Sequence, residues 1–288
     1  MRSDIHYTSP DGLDLYARSY GPADAPLAVL CMHGLTRNHK DFEPLISKLG
    51  NTHRFIAVDV RGRGRSAYDP NPDNYTPATY AGDMAALLDQ LHLKRVALIG
   101  TSMGGLMAMV MMKAMPDRIL GTVLNDVGPQ IETAGLTRIA SYASKVEPLS
   151  NWVAAANATA QTQSAIFPHF RSDDWMAFAR RTYREMDDGR VILDYDPAIS
   201  RTVSDARPGL VARFAVWRLF NALKVRPLLI VRGATSDVLS SKTTSRMTRR
   251  HGSAACIEVP ATGHAPILDT PPVVEAIKRL LEDAKAIQ

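Results

Sequence analysis

The chain has 288 residues, 45% of them hydrophobic and 22% charged, with 34 Lys+Arg against 29 Asp+Glu for a net charge of +5. A chain this long hides about 75% of its unfolded surface on folding, so it can hold a core without disulfides or metal, and its apolar content excludes a disordered polymer. The 18 Gly and 18 Pro show no period, which excludes collagen-like composition, and no apolar run reaches the roughly 18–20 residues of a membrane span.

The N-terminal stretch MRSDIHYTSPDG lacks the apolar centre of a signal peptide. Cys31 and Cys256 both sit in apolar runs, LAVLCM and AACIEV, and read as buried strand residues rather than redox or metal ligands. A soluble, cytoplasmic protein is therefore expected. Lys242, Arg246, Arg249, Arg250 and His251 cluster on one expected helix without interleaved aromatics, which reads as a solvated face and not as a nucleic-acid site.

In chain order, 13–20 reads as a strand and 27–33 as a continuous apolar strand ending in His-Gly. A short amphipathic helix over 41–49 precedes a strand at 55–60. The next helix spans 76–91, with Thr76 as its N-cap and Pro77 in its first turn. A strand at 96–99, a helix at 103–115 stopped by Pro116, and a strand at 119–124 follow. Strands without polar alternation, separated by helices, predict a mostly parallel sheet covered on both faces: an α/β fold.

The rhythm changes over 128–224, where helical patterns at 134–145, 151–161, 174–186 and 211–223 leave little convincing strand. Alternation then resumes with a strand at 227–231, a helix from about 241, a strand at 255–259 and a helix at 273–284. The chain thus divides into a core of 1–127 plus 225–288 and a helical insertion of 128–224. All three Trp (Trp152, Trp175, Trp217) and five of the seven Phe fall in the insertion, as its own core or as walls of an apolar pocket.

Gly100-Thr101-Ser102-Met103-Gly104 is a G-x-S-x-G placed between a strand and a helix. A nucleophile elbow needs that setting. Its serine sits in a strained turn, small flanking residues let two backbones approach, and the hydroxyl rises above the C-terminal edge of the sheet. The following N–H groups lie at a helix N-terminus, suited to a developing negative charge. His33-Gly34 ends the neighbouring strand, so the Leu35 N–H pairs with the Met103 N–H as the expected oxyanion donors. His33 itself reads as structural. His33, Gly34 and, from the insertion, Trp217 are the expected substrate-contacting residues. Five of the six methionines between 103 and 115 read as core, and Met103 as a substrate neighbour.

Eight histidines are available as base. Five precede Ser102, whereas an elbow of this kind is followed in the chain by its acid and then its His. His169 falls in the insertion and His251 closes a basic helix. His264, in the loop Ala261-Thr262-Gly263-His264-Ala265-Pro266 after the last strand, is the expected base. Asp237 follows the strand ending near Gly233, in a Ser/Thr/Gly loop, and is favoured as the acid; Asp126 follows an earlier strand and also fits the chain order.

Gly62-Arg63-Gly64-Arg65-Ser66-Ala67 fits the dinucleotide pattern G-x-G-x-x-G/A, but Tyr68-Asp69-Pro70-Asn71-Pro72 follows where a helix is required. No phosphate-loop or metal-ligand spacing is found either. No cofactor and no metal are expected.

Together the His33-Gly34 segment, Asp59-Val60-Arg61-Gly62-Arg63-Gly64-Arg65-Ser66, the elbow at 100–104, Asp237 and His264 resemble the α/β-hydrolase superfamily over essentially the whole chain. The resemblance implies a D-x-R-G-x-G-x-S turn at 59–66, a cap formed by the insertion, and the acid after the strand that follows the cap, which is Asp237. Ser at position 102 disfavours the Asp-nucleophile dehalogenases and epoxide hydrolases. It implies an acyl-enzyme mechanism in which His264 deprotonates Ser102, Asp237 orients the ring, and the Leu35 and Met103 N–H groups hold the oxyanion.

The expected function is hydrolysis of carboxylic esters of small, largely apolar substrates. Lactone hydrolysis and carbon–carbon bond hydrolysis are the nearest alternatives. A non-catalytic ligand receptor or a nicotinamide oxidoreductase would belong to other classes. Arg61, Arg63 and Arg65 offer themselves as anion ligands, but as a turn segment they leave neutral esters preferred over charged diketo acids. A small ester or lactone is the expected partner; neither nucleic acid nor membrane is expected, and a homodimer is allowed.

Overall fold

The computed structural model describes residues 2–144, 146–201 and 210–287. Its strands are β1 (Arg2–Thr8), β2 (Asp14–Tyr20), β3 (Ala28–Met32), β4 (Arg54–Asp59), β5 (Val96–Thr101), β6 (Ile119–Asn125), β7 (Tyr183–Glu185), β8 (Val191–Leu193), β9 (Leu228–Gly233) and β10 (Ala255–Val259). Eight of them form one sheet in the order β1-β2-β4-β3-β5-β6-β9-β10. Every neighbouring pair from β4 to β10 is parallel, and β2 is antiparallel to both of its neighbours. Strands β3, β6 and β9 are buried along their whole length, as strands with helices on both faces must be.

The helices are α1 (Glu43–Leu49), α2 (Pro77–Gln90), α3 (Met103–Ala114), α4 (Thr133–Ala143), α5 (Trp152–Gln163), α6 (Ser172–Thr182), α7 (Leu210–Ala222), α8 (Ser241–His251) and α9 (Pro271–Lys285). On one face of the sheet α2 and α3 bury Met84, Leu87, Leu88, Met107 and Met111; on the other, α1 and α9 bury Leu45, Leu49, Ile277 and Leu281. Thr76 caps α2 through a 3.2 Å bond from the Thr79 N–H to its Oγ1, with Pro77 at the first helical position. No helix among the described residues is long and apolar enough to cross a membrane.

Several expectations from sequence need correction. Strand β1 was not anticipated: its side chains are mostly exposed and polar, and it pairs with β2 only, at the sheet edge. The helix expected over 174–186 ends at Thr182, and the chain turns into the β7–β8 ribbon through Gly189, whose φ of 81° suits the turn. Cys31 is buried, whereas Cys256 is exposed, because β10 is the other edge strand. The basic face of α8 is exposed at Lys242, Arg246, Arg249 and Arg250, with Arg246 and Arg250 lying over the Trp217 ring at 4.3 and 4.8 Å, whereas His251 is buried. Lys145, expected to end a helix, and residues 202–209 of the insertion lie outside the described residues.

Between β6 and β9 the chain builds a separate apolar cluster from Phe167, Trp175, Phe178, Tyr183 and Val191. Polar contacts fasten this region to the loops after β3 and β4. Asn38 Nδ2 donates to Asp194 Oδ2 at 3.1 Å, the Gly64 N–H to the Asp194 carbonyl at 2.9 Å, and the Tyr75 hydroxyl to Asp196 Oδ2 at 2.6 Å. Arg37 Nη1 also reaches Thr182 Oγ1.

The 59–66 segment is an internal turn wrapped around charges. Burial opposes ionisation of Asp59, yet the His39 ring, 2.8 Å away, and the Arg65 and His39 N–H groups hold its carboxyl below the ordinary range. Arg61 is fully enclosed and bonds Asp11, Asp69 and Asp83. Removing one member of a buried charge cluster leaves the others unpaired, at a cost of about 3–5 kcal/mol. Arg61→Met, which keeps the apolar stem, is expected to lower unfolding free energy by about that amount in urea titrations; a change under ~1 kcal/mol would show that Asp69 and Asp83 find other partners.

Candidate active site

The sharp turn between β5 and α3 places Ser102 at φ 51° and ψ −114°, a backbone conformation that non-glycine residues rarely adopt. The turn requires glycine at 104, where a Cβ would overlap the Met32 carbonyl of the neighbouring strand. The Ser102 N–H donates to the Asn125 carbonyl at 2.9 Å, which fastens the turn to the end of β6. Ser102 Oγ lies 2.9 Å from His264 Nε2, across 162 residues of chain. The structure thus brings together the two groups that the sequence pointed to most directly.

The third group is Asp126, not Asp237. His264 Nδ1 lies 2.8 Å from Asp126 Oδ2, and the carboxylate has no exposure to solvent. Asp126 Oδ1 accepts the Gly233 N–H at 2.8 Å, and Oδ2 accepts the Ser236 hydroxyl at 2.5 Å. Its backbone, at φ 54°, is held by an N–H bond to the Val231 carbonyl at 2.8 Å. The favoured Asp237 is instead taken by Arg138 of α4, with Nε–Oδ2 at 2.6 Å and Nη2–Oδ1 at 2.9 Å. Burial opposes its ionisation, but that guanidinium holds the Asp237 carboxyl below the usual carboxylate range. The Ser/Thr/Gly loop that had suggested a presented carboxylate supplies hydrogen-bond donors to a different one.

Gly34 lies against Ser102: the space where a Gly34 Cβ would sit is 3.7 Å from Ser102 Cβ. Its carbonyl accepts from His33 Nδ1 at 2.7 Å and from the Arg37 N–H at 3.2 Å. The His33 Nε2 accepts the Val60 N–H at 3.1 Å, so the proton resides on Nδ1 and the tautomer is fixed. Because the peptide is planar and trans, the Leu35 N–H points away from the carbonyl those groups hold. Arg63 Nε fixes the Leu35 carbonyl at 2.9 Å. Met103 is the first residue of α3, where the N–H has no acceptor within the helix.

Three expectations about substrate contacts are corrected. His33 is fully buried behind Gly34 and forms no part of the pocket wall. Trp217 packs on Phe220 in the main core, because α7 lies against α3, and also lines no part of the pocket. The Met103 side chain is turned into the core, its sulfur 3.6 Å from Arg63 Nη2. Gly34, Ser102 and His264 do line the cavity, which has a volume of about 400 Å³.

Phe167 and Phe178 form part of its apolar wall, as the aromatic content of the insertion suggested. Leu45, Ile139, Leu193 and Ile267 add to that apolar wall, and Arg37, Asp41, Arg181, Tyr142, Tyr183 and Tyr195 face the cavity among them. Sequence reasoning passed over all six. Only the i,i+4 spacing of Arg37 and Asp41, directly after the His-Gly loop, was a usable signal. Arg61, Arg63 and Arg65 do not supply an anion site, since Arg61 and Arg63 are buried in the turn and Arg65 pairs with Asp4. Among the described residues no group of three or more His, Cys, Asp or Glu could hold a metal ion.

An elbow serine, a histidine bonded to it and a buried carboxylate behind the ring, on the C-terminal edge of a mostly parallel sheet, define an α/β-hydrolase site. The model of the alpha/beta hydrolase family matches residues 29–277, and the chain belongs to that family. It is 33% identical to a 3-hydroxybutyrate-oligomer hydrolase of Cupriavidus necator over 93% of this chain and 92% of the relative. It is 28% identical to a 2-(acetamidomethylene)succinate hydrolase of Mesorhizobium japonicum, over 82% and 81%. An α/β hydrolase of Novosphingobium aromaticivorans superposes with a TM-score of 0.91 at 39% identity, covering 98% of both chains. The chain is thus a hydrolase of the α/β class.

The buried His33 ring makes a pH prediction. Burial lowers its pKa from 6.5 to about 4. Between those values the unfolded chain carries a proton that the folded chain does not. Stability is therefore full above pH ~6.5 and falls as the pH drops towards ~4, by about 3 kcal/mol. Urea titrations at successive pH values should resolve this slope. His33→Gln, which can still donate to Gly34 and accept from Val60, should remove one proton's share of it; an unchanged slope in the variant would assign the acid sensitivity elsewhere.

Proposed function

We propose that the protein is a serine hydrolase of carboxylic esters, acting on short linear esters of hydroxy acids. The observation that carries the reading is the chain Ser102 Oγ–His264 Nε2–Nδ1–Asp126, with links of 2.9 and 2.8 Å, opening on the 400 Å³ cavity. In this reading the insertion 128–224 is a cap over the site. The relative of Cupriavidus necator, whose named substrate is an oligomer of 3-hydroxybutyrate, supports the choice of a linear hydroxy-acid ester.

Ser102 Oγ attacks the ester carbonyl carbon while its proton passes to His264 Nε2. Asp126 accepts the Nδ1 proton's hydrogen bond and stabilises the imidazolium that forms. The carbonyl oxygen becomes an oxyanion facing the Leu35 and Met103 N–H groups, and one such donor is worth ~2.7–4 kcal/mol in the transition state. When the carbon–oxygen bond breaks, the alkoxide leaves with the proton from Nε2. Water, deprotonated by the same ring, then attacks the acyl carbon and returns the serine with its proton. The fixed Gly34–Leu35 peptide supplies its donor without reorganising during the reaction.

Purified protein should release 3-hydroxybutyrate from its linear dimer and trimer, and a fluorophosphonate should label Ser102 covalently. Ser102→Ala should lose both the label and nearly all turnover. A butyrolactone cleaved two or more decades faster than the linear esters would make the protein a lactonase. Turnover of only an anionic vinylogous diketone would make it a carbon–carbon bond hydrolase. Asp126→Asn is expected to lower kcat by up to ~10⁴ with the fold intact, because the amide favours the wrong ring tautomer. Asp237→Asn, which breaks a partly exposed pair with Arg138, should change kcat only a few-fold. The reverse ranking would return the acid to Asp237.

A further inference from the structure

We infer that Arg181 is a specificity-determining residue that receives a carboxylate carried by the substrate; the inference rests on the ester-hydrolase reading above. Arg181 belongs to the last turn of α6 and lines the cavity of Ser102. Among the described residues its guanidinium has no hydrogen bond and no ion pair, and it lies beside the Phe178 ring, 5.6 Å from its central carbon.

The other guanidinium on the wall is already matched. Arg37 Nε lies 3.0 and 2.8 Å from the two oxygens of Asp41, its Nη2 also bonds Asp41, and its Nη1 is spent on Thr182. Arg37 and Arg181 share the Phe178 ring, with Arg37 at 4.1 Å, so the second guanidinium stands beside a pair that is already neutral. Glu147 also borders the cavity, from an exposed position. Arg181 is thus the guanidinium on the wall that bonds no carboxylate. Desolvation is the chief influence on it and lowers its pKa, Arg37 acting with that shift and the carboxylates of Asp41, Asp269 and Glu43 against it.

A half-buried guanidinium with five unspent donors is matched best by a planar oxyanion, which it binds through two parallel N–H bonds. A single unpaired positive charge balances a monoanion. A phosphate dianion would leave excess negative charge beside Asp41, so the structure favours a carboxylate. The preceding residue provides contrast: Arg180 turns the other way and lies over Trp152 at 4.0 Å. A substrate ester with a free carboxylate at one end can thus present its carbonyl to Ser102 and its charge to Arg181.

The test compares a linear 3-hydroxybutyrate dimer bearing its free carboxylate with the methyl ester of the same dimer. The wild-type protein should favour the acid about 10- to 100-fold in kcat/KM, the range expected of one charge-assisted interaction. In Arg181→Ala and Arg181→Gln that ratio should collapse towards one, and Arg181→Lys should restore part of it. Arg180→Ala serves as the neighbouring control and should keep the full ratio. Thermal melts identify any variant that has lost its fold. Calorimetric titration of the Ser102→Ala protein with both ligands gives a readout independent of turnover. There the acid should bind more tightly by a similar factor, and the double variant with Arg181→Gln should lose the difference. Equal values for acid and methyl ester in wild type, or a preference that survives in Arg181→Gln, overturns the inference and leaves the hydrolase standing. Absence of turnover for both ligands with the binding difference intact would overturn the ester reading and support the carboxylate site.

Discussion

A carboxylate with no access to water sits at the end of β6, and the geometry of the site depends on keeping it satisfied. Asp126 takes donors from Gly233, Ser236 and His264, which lie 107, 110 and 138 residues further along the chain. An unpaired buried charge is costly enough that these loops are stable only when they converge. The neighbouring Asn125 extends the same constraint. Its Nδ2 donates to the Pro266 carbonyl at 2.9 Å and to Thr101 Oγ1 at 3.1 Å, and its own carbonyl receives the Ser102 N–H. Two adjacent residues therefore tie the serine turn to the histidine loop, and the Ser102–His264 distance follows from that tie.

What could be read in the sequence was what depends on local pattern. Uninterrupted apolar runs gave the parallel strands, and the small residues flanking Ser102 gave the elbow, because each is enforced by neighbours in the chain. Strand β1 escaped because an edge strand with exposed polar side chains has no apolar signature. The choice between Asp126 and Asp237 was not local. Both follow strands, both fit the chain order, and the outcome is set by Arg138, 99 residues before Asp237, which captures one carboxylate while the segment after β9 and the His264 loop enclose the other. One signal was available: Ser236 and Thr235, beside Asp237, are hydrogen-bond donors, and a loop rich in donors is as well suited to receiving a carboxylate as to presenting one.

The pocket was the least legible part, for a related reason. Its walls come from the loop after β3, from α4, α5, α6 and β8, and from the His264 loop, so no short stretch of sequence carries its character. Aromatic content of the insertion suggested apolar lining, and Phe167 and Phe178 bear that out. The arginines misled in both directions. Arg61, Arg63 and Arg65, close together in sequence, are consumed by the 59–66 turn, whereas Arg37 and Arg181, far apart in sequence, meet across one phenylalanine ring.

Arginine partners show how such a chain separates structure from selectivity. Arg61 bonds three carboxylates, Arg138 bonds Asp237, Arg232 bonds Glu258, and Arg37 bonds Asp41. Arg63, which contacts no carboxylate, is spent on the Leu35 and Arg61 carbonyls and the Tyr80 hydroxyl. Each of these guanidinium groups offsets its desolvation within the fold and is left with little to offer a ligand. The pocket cation without such a partner, Arg181, sits on α6, while Ser102, His264 and Asp126 all sit on the ends of sheet strands or the loops that follow them. In the proposed reading the proton path lies at the sheet edge, where Asp126 holds His264, and charge selection falls to α6, whose Arg181 bonds none of Ser102, His264 and Asp126.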